Sequence, residues 1–208
     1  MRVHHVSRTY SRYRTGATKE PPLEFPHPLQ RAVFVRREKR FLVHAVLPGE
    51  GPVIAHTNNT GSMRGCLAPD APLWLSPATN PARKLRWTLE LAETVDGTFP
   101  GVEGGVLVGV NTALANRLAE EALTAGIVPE LTGFAELRRE VTYGSRGSRV
   151  DFLLTAADGA RTWVEVKNVS LVENGHARFP DSPTERGRKS LKIVDDSNVH
   201  YVLAAAHL

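Results

Sequence analysis

The sequence predicts two structural units, a small all-β barrel or sandwich followed by an α/β unit. Two observations lead there. Residues 32–93 hold closely spaced β-rich runs, "AVFVRREKRFLVHAVL", "PVIAHT", "PLWLS" and "LRWTLELAE", separated by the turn signals "PGEG", "NNTGS" and "APDAP". From residue 106 the texture changes to a strand-like "VLVGV", an amphipathic helical stretch and then further strand-like runs. At 208 residues the chain is long enough to give two such units real cores.

Taken in order, residues 1–22 read as a flexible basic tail, with five Lys/Arg, two successive prolines and little apolar periodicity. Residues 23–95 form the β unit. A five-stranded barrel of the oligonucleotide-binding type fits its length, although the pattern does not single that barrel out. "TVDGTFPGVEGG" reads as turn or linker, and residues 96–208 form the second unit, opened by "VLVGV". In "NTALANRLAEEALTAG", Leu114, Leu118 and Ala122 recur at helical spacing, as do Ala115, Ala119 and Leu123. Thr112 is placed to cap the start, and Gly126 and Pro129 mark the end. "EVTYG", "SRVDFLLT" and "TWVEVKNVSL" read as strands, the last two joined by an "AADGA" turn. "SPTERGRKSLKIV" offers Ser182 as N-cap, Pro183 at the first helical position and Glu185 to complete a capping box, weakened by Gly187. "VHYVLAAAHL" reads as a closing strand.

The formal charge of +4 favours polyanionic partners without requiring them. No stretch has the length and apolarity to span a bilayer, and the N-terminus lacks the apolar segment of a secretory signal. Cys66 is the single cysteine, which rules out an internal disulfide and a cysteine-rich zinc site; a cytoplasmic location is expected.

One constellation has chemical content. Asp151 lies in "SRVDFLL", and Glu165 and Lys167 lie in "WVEVKN". Strand alternation puts Trp163, Glu165 and Lys167 on one face and Val164 and Val166 on the other. Two carboxylates suit a hard divalent cation, and a neighbouring lysine can orient water for phosphodiester hydrolysis. Whether Asp151 joins the pair depends on register. A two-residue Asp158-Gly159 turn would set Asp151 opposite Val166, on the wrong face. A three-residue loop pairing 157 with 161 would set it against Lys167, and a five-residue loop pairing 155 with 161 against Glu165. An isolated Asp plus Glu-x-Lys hairpin is more often a solvated sheet face, and Trp163 on that face favours partial burial.

Other residues carry weaker signals. Asn58 and Asn59 in "AHTNNTGSM" suit a tight turn or a contact with phosphate or base. Arg83, Lys84 and Arg86 could line a nucleic-acid groove with Trp87 as a stacking surface, or Trp87 could face the core. Arg146 and Arg149 near Asp151, with Arg186, Arg188 and Lys189, could steer phosphate or stand as solvated charges.

The chain resembles the sugar fermentation stimulation protein family, SfsA, from about Leu23 to Leu191. The resemblance rests on "RREKRFLVHAVL", "AHTNNTGSM", "RKLRWTLELAE", "VGVNTALANRLAEEAL", "REVTYGSRGSRVDFLL", "VEVKNVSL" and "FPDSPTERGRKSL". It implies an OB-like N-terminal barrel and a C-terminal restriction-endonuclease-like α/β domain with a mixed sheet, similar to the PD-(D/E)xK nucleases. By the same resemblance Asp151, Glu165 and Lys167 match the metal and water-activating positions. Glu140 in "REVTYG" is the preferred additional metal acid over Glu120 or Glu121. The implied cofactor is Mg²⁺ or Mn²⁺, and the implied partner is nucleic acid, DNA rather than RNA. The implied function is DNA binding with divalent-metal nuclease activity. A non-catalytic DNA-binding regulator of sugar-metabolism genes is the alternative, and a carbohydrate-binding module a third. Residues 1–22 have no counterpart in the family pattern, and Ser190 stands where a histidine is usual. The chain ends after "VHYVLAAAHL", so a shortened C-terminal domain is expected.

Overall fold

The computed structural model describes residues 24–63, 66–94, 105–143, 147–173, 176–178 and 199–204. The expected tail at 1–22 and the helix expected over 182–194 lie outside them.

Five strands build the N-terminal barrel: β1 (Gln30–Glu38), β2 (Leu42–Leu47), β3 (Gly51–His56), β4 (Pro72–Pro77) and β5 (Trp87–Glu93). β1 pairs antiparallel with both β2 and β4, and β4 pairs antiparallel with β5. A short parallel pairing of β3 with β5, Ala55 with Trp87 and His56 with Thr88, closes the barrel. Closure removes the exposed edges that such short strands would otherwise present. Inward positions alternate with outward ones. Ala32, Phe34, Val43, Ala45, Leu47, Ala55, Leu73, Leu75 and Leu89 fill the core, and Trp87 packs partly buried against it. Register slips between Phe34 and Arg36 and between Trp74 and Leu75 bend the strands, as a closed sheet of this size requires.

The sequence assigns "VLVGV" to the second unit. Its strand, β6 (Leu107–Gly109), instead pairs antiparallel with β5 at the edge of the barrel sheet. The cause lies just upstream. A Cβ at Gly105 would collide with the Thr94 carbonyl oxygen, so glycine there lets the chain return close against the end of β5.

Helix α1 (Thr112–Thr124) follows, then a 3₁₀ turn at Pro129–Leu131. Asn111, not Thr112, supplies the cap: its Oδ1 accepts the Ala113 N–H at 3.0 Å, while the Thr112 N–H donates to Asn58 Oδ1 at 3.0 Å. The C-terminus ends as the sequence predicts. Gly126 is left-handed at φ 67°, its N–H donates to the Leu123 carbonyl at 3.1 Å, and Ile127 N–H reaches the Ala122 carbonyl at 2.9 Å.

The second sheet contains β7 (Phe134–Tyr143), β8 (Ser148–Ala156) and β9 (Arg161–Asn168). β10 (Leu171–Glu173) and β11 (His176–Arg178) make a separate two-stranded ribbon, and β12 (Val199–Ala204) flanks β9, giving the order β12-β9-β8-β7. The alanine stripe of α1, Ala115 and Ala119 with Leu123, packs on Phe152, Leu154, Val164 and Val166. Small side chains let the helix lie close to the sheet, and the β-branched residues fill the pleat beneath it.

The stretch "TWVEVKNVSL" is not one strand. β9 stops at Asn168, and the Cys66 thiol donates to the Ser170 carbonyl at 3.4 Å. By internal contacts the described residues of 23–114 and 168–182 form one unit, and those of 115–167 and 199–204 the other.

Candidate functional site

The β8–β9 hairpin decides whether a site exists. Asp158-Gly159 does not form a two-residue turn. The Gly159 N–H donates to the Ala156 carbonyl at 2.9 Å, with Gly159 left-handed at φ 85°, and Asp158 Oδ1 accepts the Ala160 N–H at 2.9 Å. The Asp carboxylate and the glycine thus close the far side of a wider turn. Thr155 consequently pairs with Arg161, and the ladder runs through Leu154–Thr162 and Leu153–Trp163 to Phe152–Val164. This is the register expected of a five-residue loop, reached here with a tighter turn over 157–159 because the Ala156 N–H donates to the Ala160 carbonyl at 2.9 Å, and one step further brings Asp151 opposite Glu165.

At that step the side chain takes over from the backbone. The Val166 N–H donates to Asp151 Oδ2 at 2.7 Å, and Asn116 Nδ2, from α1, donates to Oδ1 at 2.9 Å. Both carboxylate oxygens are therefore oriented, each by a different element. Lys167 Nζ is ion-paired with Glu165 Oε1, and both side chains are largely buried. Burial raises the Glu165 pKa above the usual carboxylate value; the Lys167 ammonium opposes the shift and the neighbouring Asp151 reinforces it. Asp151, Glu165 and Lys167 thus lie together, in one of the registers the sequence left open. Tyr143 and Trp163 pack beside them with ring centroids 5.5 Å apart, and burial next to Glu165 raises the Tyr143 pKa.

The remaining candidates sit differently. The β7–β8 register brackets Asp151 with Arg139–Phe152 and Val141–Val150, which puts Glu140 alongside it. Glu140 is left-handed at φ 51°, and its exposed carboxylate lies 3.4 Å from Arg149 Nη1. Glu120 on α1 is ion-paired with Arg139. Among the described residues no three His, Cys, Asp or Glu side chains come together as a metal-binding group. Two converging carboxylates remain, one with a raised pKa. That donor set fits a hard divalent ion such as Mg²⁺, which commonly takes one or two protein carboxylates and completes its shell with water and phosphate oxygens.

In the barrel unit, Asn58 and Asn59 are committed to the fold. Asn58 Nδ2 donates to Asn111 Oδ1 at 2.7 Å, and Asn59 Oδ1 accepts the Gly61 N–H at 2.9 Å. Arg83 donates to Thr88 Oγ1 at 3.1 Å and, with Arg86, lines an open cavity of about 170 Å³ in the β4–β5 loop; Lys84 is exposed nearby. Arg146, Arg186, Arg188 and Lys189 lie outside the described residues. Sequence reasoning missed Asn116. Its signal was an asparagine, which competes poorly for helix interiors, standing mid-helix in an alanine-rich stretch. No helix of the described residues is long and apolar enough to cross a membrane.

Comparisons with known proteins agree with this architecture. Residues 35–102 match the SfsA N-terminal OB domain, and residues 113–198 match the sugar fermentation stimulation protein RE domain. A sugar fermentation stimulation protein homolog of Shewanella piezotolerans is 41% identical over 89% of this chain and 83% of its own length. A homolog of Magnetococcus marinus is 50% identical over 83% of this chain and 69% of its own. The structure of Pyrococcus furiosus SfsA in complex with Ca²⁺ is similar with a TM-score of 0.65 and 27% identity, over 79% of this chain and 65% of that one. With an OB barrel, a sheet-and-helix RE domain and such relatives, the chain belongs to the sugar fermentation stimulation protein family.

Proposed function

We propose that this chain binds nucleic acid, DNA in preference to RNA, and hydrolyses phosphodiester bonds with Mg²⁺ or Mn²⁺. The observation that carries the reading is the hairpin register that gathers Asp151, Glu165 and Lys167, with both oxygens of Asp151 oriented by Val166 and Asn116. The Ca²⁺ in the Pyrococcus furiosus relative's structure supports a divalent ion in the family.

Asp151 and Glu165 would hold the ion through hard oxygen donors, and Asn116 keeps Asp151 from rotating away. When bound, the ion supplies charge neutralisation at the scissile phosphate and a lowered pKa for water. Lys167 Nζ donates hydrogen bonds to the attacking water or to a phosphate oxygen. Arg149, exposed on β8, attracts the phosphate backbone.

A second reading, a non-catalytic DNA-binding regulator on a nuclease scaffold, draws on one observation. The Glu140 carboxylate faces Arg149, which leaves two acids at the site. Degradation of single- and double-stranded DNA and RNA, with Mg²⁺ or Mn²⁺ and a Glu165→Ala control, decides between them. The nuclease reading expects ion-dependent cleavage that Glu165→Ala abolishes while binding persists. No cleavage by wild type with retained DNA binding would leave the regulator.

A further inference from the structure

We propose that Tyr143 and Trp163 form a base-stacking wall beside Glu165, so that the phosphodiester attacked is one whose neighbouring base is unpaired. The proposal rests on the phosphodiesterase reading above and specifies the substrate of that site.

A straight sheet could not bring these two rings together. Trp163 pairs with Leu153, and Leu153 with Arg138, so the three form one row across β9, β8 and β7. Tyr143 stands five residues beyond Arg138 on β7, which on an extended strand is about 17 Å along its axis. Two strand spacings add about 10 Å across the sheet. That is more than two aromatic side chains can span, yet their ring centroids lie 5.5 Å apart with the planes inclined at 41°. β7 therefore doubles back beyond Arg138, and Glu140 is where it bends. Within β7 only Glu140 is left-handed, at φ 51°, a conformation that a Cβ disfavours. Such strain persists where the geometry it imposes matters. The bend carries Tyr143 over the face that Trp163 shares with Glu165 and Lys167 by strand alternation.

The pair is placed for a substrate rather than for the core. Neither ring is fully buried, whereas rings that only held the strand down would gain most from complete burial. Burial beside Glu165 raises the Tyr143 pKa, so the phenol stays neutral and adds no charge against a phosphate. Arg138, exposed in the same row as Trp163, supplies a cation on that face. An aromatic wall and a cation next to two carboxylates suit a nucleotide whose base stacks while its phosphate reaches the ion. Bases inside a duplex are covered by their neighbours, so only a base out of the stack gains from the wall. Every base has such a face, and the preference is therefore for unpaired structure, not for sequence.

Cleavage of a duplex with and without a central bubble of unpaired bases, each at saturating DNA with Mg²⁺, tests this. Wild type should cut the bubble about tenfold faster, the scale of one base–aromatic stack. Trp163→Leu and Tyr143→Leu should bring that ratio close to one, while Tyr143→Phe keeps the ring and should keep the ratio. A purely structural role would lower both rates together and leave the ratio unchanged. Wild type alone provides a second measurement that needs no variant to fold: an abasic site beside the mapped cut should slow cleavage of the bubble about tenfold. A wild type that cuts both DNAs equally, leucine variants that keep the ratio, or an abasic bubble cut like the intact one would overturn the wall and leave the nuclease reading standing. A wild type that cuts neither DNA would overturn both.

Discussion

Replacing Asn116 with leucine keeps the side chain's branching and heavy-atom count, adds the bulk of two methyl groups, and removes its donor. Asp151 would keep the Val166 N–H on Oδ2 at 2.7 Å and lose the 2.9 Å bond on Oδ1, freeing the carboxylate to rotate. Asp151 is half-buried, so water can replace part of the lost bond. The stability loss should therefore sit at the low end for a bond to a charged group, about 1.5 kcal/mol. Hydrogen bonds that orient metal ligands typically change ion affinity by about tenfold to a hundredfold. The partial exposure again selects the lower figure, about tenfold for Mg²⁺ or Mn²⁺. Two measurements check this: calorimetric titration with either ion, and hydrogen exchange at the Val166 amide. The variant should bind the ion more weakly and exchange the Val166 N–H faster, since its acceptor has lost its second tether. A Val166 amide protected as in wild type, together with unchanged ion affinity, would refute the reasoning.

Asn111→Ala removes the α1 cap and the 2.7 Å bond from Asn111 Nδ2 to the buried Glu90. Glu90 would retain Ser76 at 2.6 Å. A loss of about 3 kcal/mol in urea denaturation is expected from the cap and the buried bond together, and a change under about 1 kcal/mol would contradict it. The pH dependence follows from Glu165 in the ion-free protein. Its folded pKa is raised by burial, so the native state holds that proton more tightly than the unfolded chain. Its favourable contribution is complete below the unfolded carboxylate pKa and is lost as pH rises through the raised folded value. Glu165→Gln should flatten this part of the stability-pH profile, and an identical profile in the variant would contradict the assignment.

Much of this fold is legible in the sequence. The short runs with turn signals forecast the barrel strands, because apolar alternation and Gly/Pro punctuation are local properties. The alanine stripe of α1 and its Gly126 terminus were legible for the same reason. "VLVGV" was a correct strand in the wrong sheet, since nothing local says which edge a three-residue strand will join. Thr112 and Asn111 are both competent caps, and the choice fell to Asn111 because Asn58, 53 positions away, hydrogen-bonds it and takes the Thr112 amide.

For the site, the sequence by itself determined the chemistry available: two carboxylates and an ammonium on strands, with Glu165 and Lys167 sharing a face by alternation alone. It also confined Asp151 to a few registers. Only the tertiary structure chose among those, through the hydrogen bonds of Asp158 and Gly159 that widen the turn, and only it brought Asn116 from the helix onto the Asp151 carboxylate. Side-chain identity and period are written residue by residue. Register and cross-element contact depend on how turns and packed faces resolve together, which no single stretch of the chain encodes.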